Sequence, residues 1–229
     1  MDTQLSGNWL VMISCQQEVW WWDAHSWRAD TVLRPVIFVH GLDTSAATFL
    51  PNRDYFLQNG YADEELYATS YRPALQPLLT DKMTCQHVRL LIRSVHEFTN
   101  SAVDVIGYSM GSPISRKAIM GGACVDTGEQ LGPNITNLIQ TFIGVVGANF
   151  GAEFLCALPI ESCNVVNGIV CNSLFLNDVN SRPRSGYEAT NIYTIYTTAD
   201  EVVGMKSCNG RRITSIPGEH NLLGLVKKD

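Results

Sequence analysis

Ser109, Asp200 and His220 have the residue types, and the order along the chain, of a nucleophile, an acid and a base. Ser109 stands in Gly107-Tyr108-Ser109-Met110-Gly111, a G-x-S-x-G pattern where an apolar run gives way to the polar, helix-like Ser115-Arg116-Lys117. A chain that reverses this sharply from strand to helix forces strained dihedrals on the residue at the tip. Side chains two positions before and after that residue would strike neighbouring backbone, and glycine removes them. The Ser109 hydroxyl would then stand at a helix start, where unpaired N–H groups and the helix dipole favour an oxygen gaining negative charge. Pro113 suits the first helical turn, where its missing N–H costs little. Alone, the pattern turns up by chance in Gly/Ser-rich chains. Its strand–turn–helix setting is what gives it weight.

Serine is a poor nucleophile at ordinary pH and needs a base, and the base needs an orienting acid. Of the five histidines, His25 lies in an atypical N-terminal stretch, and His87 and His96 sit on an amphipathic helix whose solvated face explains them. His40 follows the first strand, a place for shaping a loop. His220, in "SIPGEHNLLG", is expected directly after the last strand, and Asp200, in "IYTIYTTADEVVG", follows a strand in the same way. The order Ser109, Asp200, His220 is that of the α/β-hydrolases. Glu201 competes with Asp200, and Asp178 is a more distant competitor; a helix cap for Asp200 and a surface turn for His220 are the plain structural alternatives. A tetrahedral oxyanion needs two backbone donors, for which Met110 and, in the loop "HGLDTSAATF", Leu42 are best placed.

These groups need a scaffold, and the chain alternates short apolar runs with helical periodicity. "RPVIFVHG", "EELYATSY", "AVDVIG", "NLIQTFIGVVG", "NIYTIYTT" and "RRITSIPG" read as strands. Val88, Leu91, Ile92, Val95 and Phe98 recur at helical spacing, and a further helix follows Ser109. The expected fold is α/β, a mostly parallel central sheet with helices on both faces and a site at the carboxyl ends of the strands. The stretch Gly151 to Arg184, rich in Cys, Asn, Ser and Gly, is expected to be an irregular, disulfide-braced region with short helical pieces, and a candidate cover for the site.

Bulk properties narrow the function. A chain of 229 residues that is 45% apolar can bury one sizeable core. A net charge of −6 offers no electrostatic attraction to nucleic acid or an anionic membrane. The seven cysteines form no CxxC or Cys/His zinc spacing, so neither a metal nor a redox cofactor is expected. Disulfides in a secretory compartment fit better, and the sequon Asn134-Ile135-Thr136 points the same way. The N-terminus carries no recognisable signal peptide: Asp2 replaces positive charge, and Trp9 to Ile13 is too short for a membrane span. Trp20, Trp21, Trp22 and Trp27 are expected to pack or to belong to a poorly ordered extension.

Five blocks in order, "PVIFVHGLDTSAATF", "VDVIGYSMGSPISRKAI", "FIGVVGANFG", "IYTIYTTADEVVG" and "IPGEHNLL", together resemble the class 2 triacylglycerol lipase family of the α/β-hydrolase superfamily. The cysteine-containing loop and "FLNDVN" resemble its nematode branch. The resemblance spans Pro35 to Leu223 and implies Ser109 as nucleophile, Asp200 as acid, His220 as base, Leu42 and Met110 as oxyanion donors, a lipid ester substrate and no cofactor. It divides the chain into an N-terminal extension, residues 1–34, and a hydrolase domain, residues 35–229. Three departures stand out. Gly107-Tyr108 replaces the small-residue-plus-His pair of bacterial members, the start before Pro35 is unlike the family, and the chain ends nine residues after His220, short of the usual last helix. Two functions follow as expectations: a secreted serine esterase or lipase acting at a lipid–water interface, or a non-catalytic, lipid-binding or incomplete relative.

Overall fold

A central parallel strand is covered on both faces and therefore reads as an unbroken apolar run. β1 (Val36–Val39) has that character, with all four residues buried. Ile37 and Val39 enter one core; Val36 and Phe38 enter a second core on the opposite face. The structure, a computed structural model, describes residues 31–71, 82–181 and 186–225. The N-terminal tryptophans, His25 and Arg184 lie outside the described residues.

β1 is joined in one sheet by β2 (Leu66–Thr69), β3 (Val103–Tyr108), β4 (Ile139–Val145), β5 (Asn191–Thr197) and β6 (Asn221–Leu225). The spatial order is β2-β1-β3-β4-β5-β6, and every neighbouring pair is parallel. Parallel neighbours require crossovers, supplied by α1 (Leu50–Gln58), α2 (Lys82–Thr99) and α3 (Gly111–Met120), with α4 (Leu174–Asn180) in the long connection before β5. The helical spacing on α2 places Val88, Leu91, Ile92 and Val95 in the core with β1, β3 and α3, while Phe98 ends half-exposed. Each such buried aliphatic side chain contributes about 1.5–3 kcal/mol. On the other face, Phe49, Phe56 and Tyr61 close over Phe38, with ring centroids of Phe38 5.1 Å from Phe49 and 5.5 Å from Phe56. The α/β-hydrolase architecture, a parallel sheet with helices on both faces, is therefore present.

The irregular connection after β4 is braced as expected. Cys156–Cys163 closes a short loop within it, and Cys171–Cys208 ties it to the segment that follows β5. α4 starts where the Ser173 hydroxyl accepts the Leu176 N–H at 3.1 Å.

One expected strand is not a strand. "RRITSIPG" forms turns and a single bridge, Lys206 with Arg212, and the last strand is instead Asn221–Leu225, pairing Tyr193 with Asn221 through Thr197 with Leu225. Pro217 has no N–H to give a ladder, and Ile213 and Ile216 are drawn fully into the core away from the sheet edge. Residues 221–225 take that edge although four of the five remain exposed. His220 consequently precedes the last strand rather than following it.

Candidate active site

The turn between β3 and α3 has the strained geometry that its sequence demands. Ser109 has φ 52°, in the left-handed region that non-glycine residues seldom adopt. A Cβ on Gly107 would lie 2.7 Å from Ser112 Cα, and one on Gly111 would run into the carbonyl oxygens of Val39 and His40. The two glycines are what allow the turn to close. Ser109 N–H donates to the Val145 carbonyl at 2.9 Å, and the Ser109 carbonyl accepts from Ser112 N–H at 3.1 Å and Ala148 N–H at 3.3 Å. Its side chain, partly exposed, stands at the amino terminus of the ten-residue α3.

The loop after β1 lies against this turn. A Cβ on Gly41 would be 2.9 Å from Ser109 Cβ, so the His40-Gly41-Leu42 backbone runs directly beside the serine. Asp43, at φ 51°, turns the chain away after Leu42. Among the described residues, neither Leu42 N–H nor Met110 N–H donates to a backbone carbonyl. Both are thus placed beside Ser109 with their amides unused by the fold. His40 does shape this loop: it is buried, stacked on Tyr71 at 3.9 Å between centroids, with Nδ1 on the Gly41 carbonyl at 2.8 Å and Nε2 accepting Tyr71 N–H at 3.3 Å. Burial pushes its pKa below the usual histidine value of 6.5, against a smaller upward pull from the Gly41 carbonyl.

Asp200 lies three residues beyond β5, at the carboxyl edge. Its Oδ1 accepts the N–H groups of Val202 and Val203, each at 2.9 Å, which is the capping role open to an aspartate in a turn. Glu201 is exposed, and Asp178 is engaged with Lys117 at 2.6 Å. His220 lies at the opposite edge. Its N–H donates to the Ile192 carbonyl at 2.8 Å, at the start of β5, whereas Ser109 is level with Val145 and so with Ile195 near the end of that strand. At roughly 3.3 Å per residue and 4.8 Å per strand, Ser109 and His220 are separated by on the order of 15 Å. The fold brings Ser109, Leu42 and Met110 together, keeps Asp200 on the same edge, and leaves His220 apart.

A buried polar network underlies the serine, and sequence reasoning assigned it no role. Arg116, with no solvent exposure, donates from Nε to Glu188 at 2.8 Å and from its terminal nitrogens to Asn180 Oδ1 at 2.9 Å and the Val179 carbonyl at 3.0 Å. Asn149 accepts from the Ser112 hydroxyl at 3.0 Å and donates to the Thr214 carbonyl at 3.0 Å. It links α3 to the loop that leaves β4 beside Ser109. Val146 in that loop has φ 43°, a costly conformation for a β-branched residue. Asn149 lies in "GANFG", but that block has no local chemical pattern to mark it. Among the described residues, one cluster has metal-ligand types, Glu153 with Cys171 and Cys208, and both sulfurs are joined in a disulfide.

The model of the class 2 lipases matches residues 33–227 of this sequence. The chain belongs to the class 2 lipase family. This places it among hydrolases of lipid carboxylic esters. Solved structures agree on the fold. A Bacillus licheniformis lipase in its mature form has a TM-score of 0.58 at 14% identity, over 87% of this chain and 86% of that one. Aspergillus fumigatus lipase B has a TM-score of 0.56 at 18% identity, over 84% of this chain and 44% of that one. A Paleococcus ferrophilus monoacylglycerol lipase has a TM-score of 0.54 at 11% identity, over 84% and 86%. No curated protein matches the sequence. Among the described residues, no helix of this class 2 lipase is long and apolar enough to cross a membrane.

Proposed function

We propose that this class 2 lipase hydrolyses acyl esters of lipids through an acyl-enzyme on Ser109, as a secreted protein of the nematode-like branch. The observation that carries the reading is the strained Ser109 turn at the head of α3, with the Gly41-Leu42 loop against it. Ser109 Oγ attacks the ester carbonyl carbon as the base takes its proton, the developing oxyanion accepts from the N–H groups of Leu42 and Met110, the alcohol leaves with that proton, and water then attacks the acyl carbon, releasing the acid and restoring the hydroxyl. Asp200 is the acid of the set. His220 is the base of the set, and to take the Ser109 proton it must leave the place beside Ile192 that it holds here.

The substrate surface is read from the loop beyond β4. Phe154, Leu158 and Val202 are each more than half exposed, and Leu155 N–H on the Val202 carbonyl at 3.2 Å holds the two segments together. An apolar rim beside the Asp200 turn suits a neutral lipid–water interface. The two disulfides and the acidic balance of the chain are in keeping with secretion. In FLNDVN, the stretch whose likeness motivates the branch assignment, Asp178 and Asn180 are the partners of Lys117 and Arg116 behind the serine.

The position of His220 favours a second reading, a lipid-binding relative without turnover. Labelling by a fluorophosphonate separates the two. An adduct mapped to Ser109 and lost in Ser109→Ala supports the hydrolase; a folded chain that stays unlabelled supports the binding protein.

A further inference from the structure

Outside the active-site edge, the molecule presents one acceptor for covalent modification that the ester chemistry does not use. We propose that Asn134 carries an N-linked oligosaccharide. The sequence contains one Asn-x-Ser/Thr triplet with a permitted central residue, Asn134-Ile135-Thr136. The fold leaves Asn134 of that triplet exposed, so a glycan attached before folding is accommodated without disturbing the core. Asn134 is exposed, and its Oδ1 accepts Thr136 N–H at 2.7 Å, closing an Asx turn in which the carboxamide oxygen faces the chain. Its partner atom, Nδ2, is the one that bears a glycan. Ile135 points the other way and is buried, its N–H donating to the Ile119 carbonyl at the end of α3 at 3.0 Å. The Thr136 hydroxyl donates to the Tyr187 carbonyl, so both flanks of the turn are anchored while Asn134 projects.

Two independent features agree with this assignment. The pair of disulfides, Cys156–Cys163 and Cys171–Cys208, requires an oxidising folding compartment, which in eukaryotes is also where oligosaccharide is transferred to asparagine. The turn also lies just before β4, at the amino edge of the sheet, whereas Ser109 is level with the last residue of that strand. At roughly 3.3 Å per residue the two are about 20 Å apart, so a bulky, hydrated glycan would stand clear of the serine and of the apolar rim.

The transfer is a substitution at the anomeric carbon of a lipid-pyrophosphate-linked oligosaccharide. The bond from Asn134 Nδ2 to the sugar C1 forms as the C1–O bond to the pyrophosphate breaks. The lipid pyrophosphate departs with the electron pair, and a base of the transferase takes the Nδ2 proton.

The test uses the full chain, isolated from its own source and, in parallel, synthesised behind a secretory leader in the presence of microsomes. Amidase release of glycan in heavy-oxygen water should convert Asn134 to labelled aspartate, and mobility should shift in a single step. Asn134→Gln and Thr136→Ala should each remove the shift, and Thr136→Ser should keep it. Transfer precedes folding, so these readouts hold even for a variant that folds poorly. Unlabelled Asn134 in the native protein, or a shift that persists in Asn134→Gln, would overturn the assignment. Neither result depends on whether the protein hydrolyses esters.

Discussion

Ile192 and His220 exchange two hydrogen bonds: the His220 N–H donates to the Ile192 carbonyl at 2.8 Å, and the Ile192 N–H donates to His220 Nδ1 at 3.1 Å. The imidazole is thereby held at the amino edge of the sheet, with its remaining ring proton on Nε2. Ser109 stands at the opposite, carboxyl edge, level with Val145 at the end of β4. Of the two segments near that edge of the sheet where β5 is paired, 212–216 buries Ile213 and Ile216 in the core, and only 221–225, largely exposed, pairs with β5.

His220→Ala tests whether this histidine serves Ser109. If His220 is the base, the variant should lose fluorophosphonate labelling and ester hydrolysis by roughly 10³-fold or more, as removal of a base from a serine site does. Retention of the full labelling rate would mean that His220 stays beside Ile192 and serves no base role.

The Arg116–Glu188 pair should be costly to break. Both side chains are fully buried, Arg116 is also bonded to Asn180 and Val179, and Glu188 Oε2 has no partner. Glu188→Gln leaves a buried guanidinium without its counter-charge, an expected loss of about 3–5 kcal/mol in urea unfolding. Arg116→Met combined with Glu188→Leu should recover part of that loss. A single variant as stable as the parent would remove the pair from the account of the fold.

Stability should fall on mild acidification through His40. Burial lowers its folded-state pKa below the unfolded value of 6.5, so the unfolded chain binds the extra proton first. The contribution is complete above about pH 6.5 and is lost as pH falls towards the folded-state value. Urea midpoints measured downward from pH 7 should show this slope, and His40→Gln should flatten it. An unchanged slope in the variant would assign the effect to another group.

The two disulfides should differ in worth. Cys171–Cys208 closes a separation of 37 residues and Cys156–Cys163 one of 7. Chain-entropy arguments give about 4 kcal/mol for the longer and about 2 kcal/mol for the shorter. Paired Cys→Ala variants compared in urea should preserve that order.

The exposed rim should matter only at an interface. Phe154→Ser with Leu158→Ser should reduce hydrolysis of an emulsified long-chain ester by roughly tenfold, the effect of about 1.4 kcal/mol of lost apolar contact, and leave a soluble short-chain ester unaffected. Equal losses on both substrates would place these residues in the acyl site or in the fold.

The amino-acid sequence by itself determined the alternation of strands and helices, the elbow at Ser109 and its two obligatory glycines, and the amphipathic face of α2. Each depends on local chemistry: hydrophobic period, a turn that excludes Cβ atoms, and apolar residues one helical turn apart. It also marked the Gly151 loop as disulfide-braced, without telling which cysteines pair. Tertiary structure alone decided those pairings, the burial of Arg116 and Lys117 behind the serine, and the strained Val146. It also decided the sheet edge. "RRITSIPG" reads locally as the last strand, yet the edge is taken by Asn221–Leu225, because Ile213 and Ile216 are buried away from it and Pro217 has no N–H for a ladder. Which segment meets β5 is set by packing across the fold, and no local pattern encodes it.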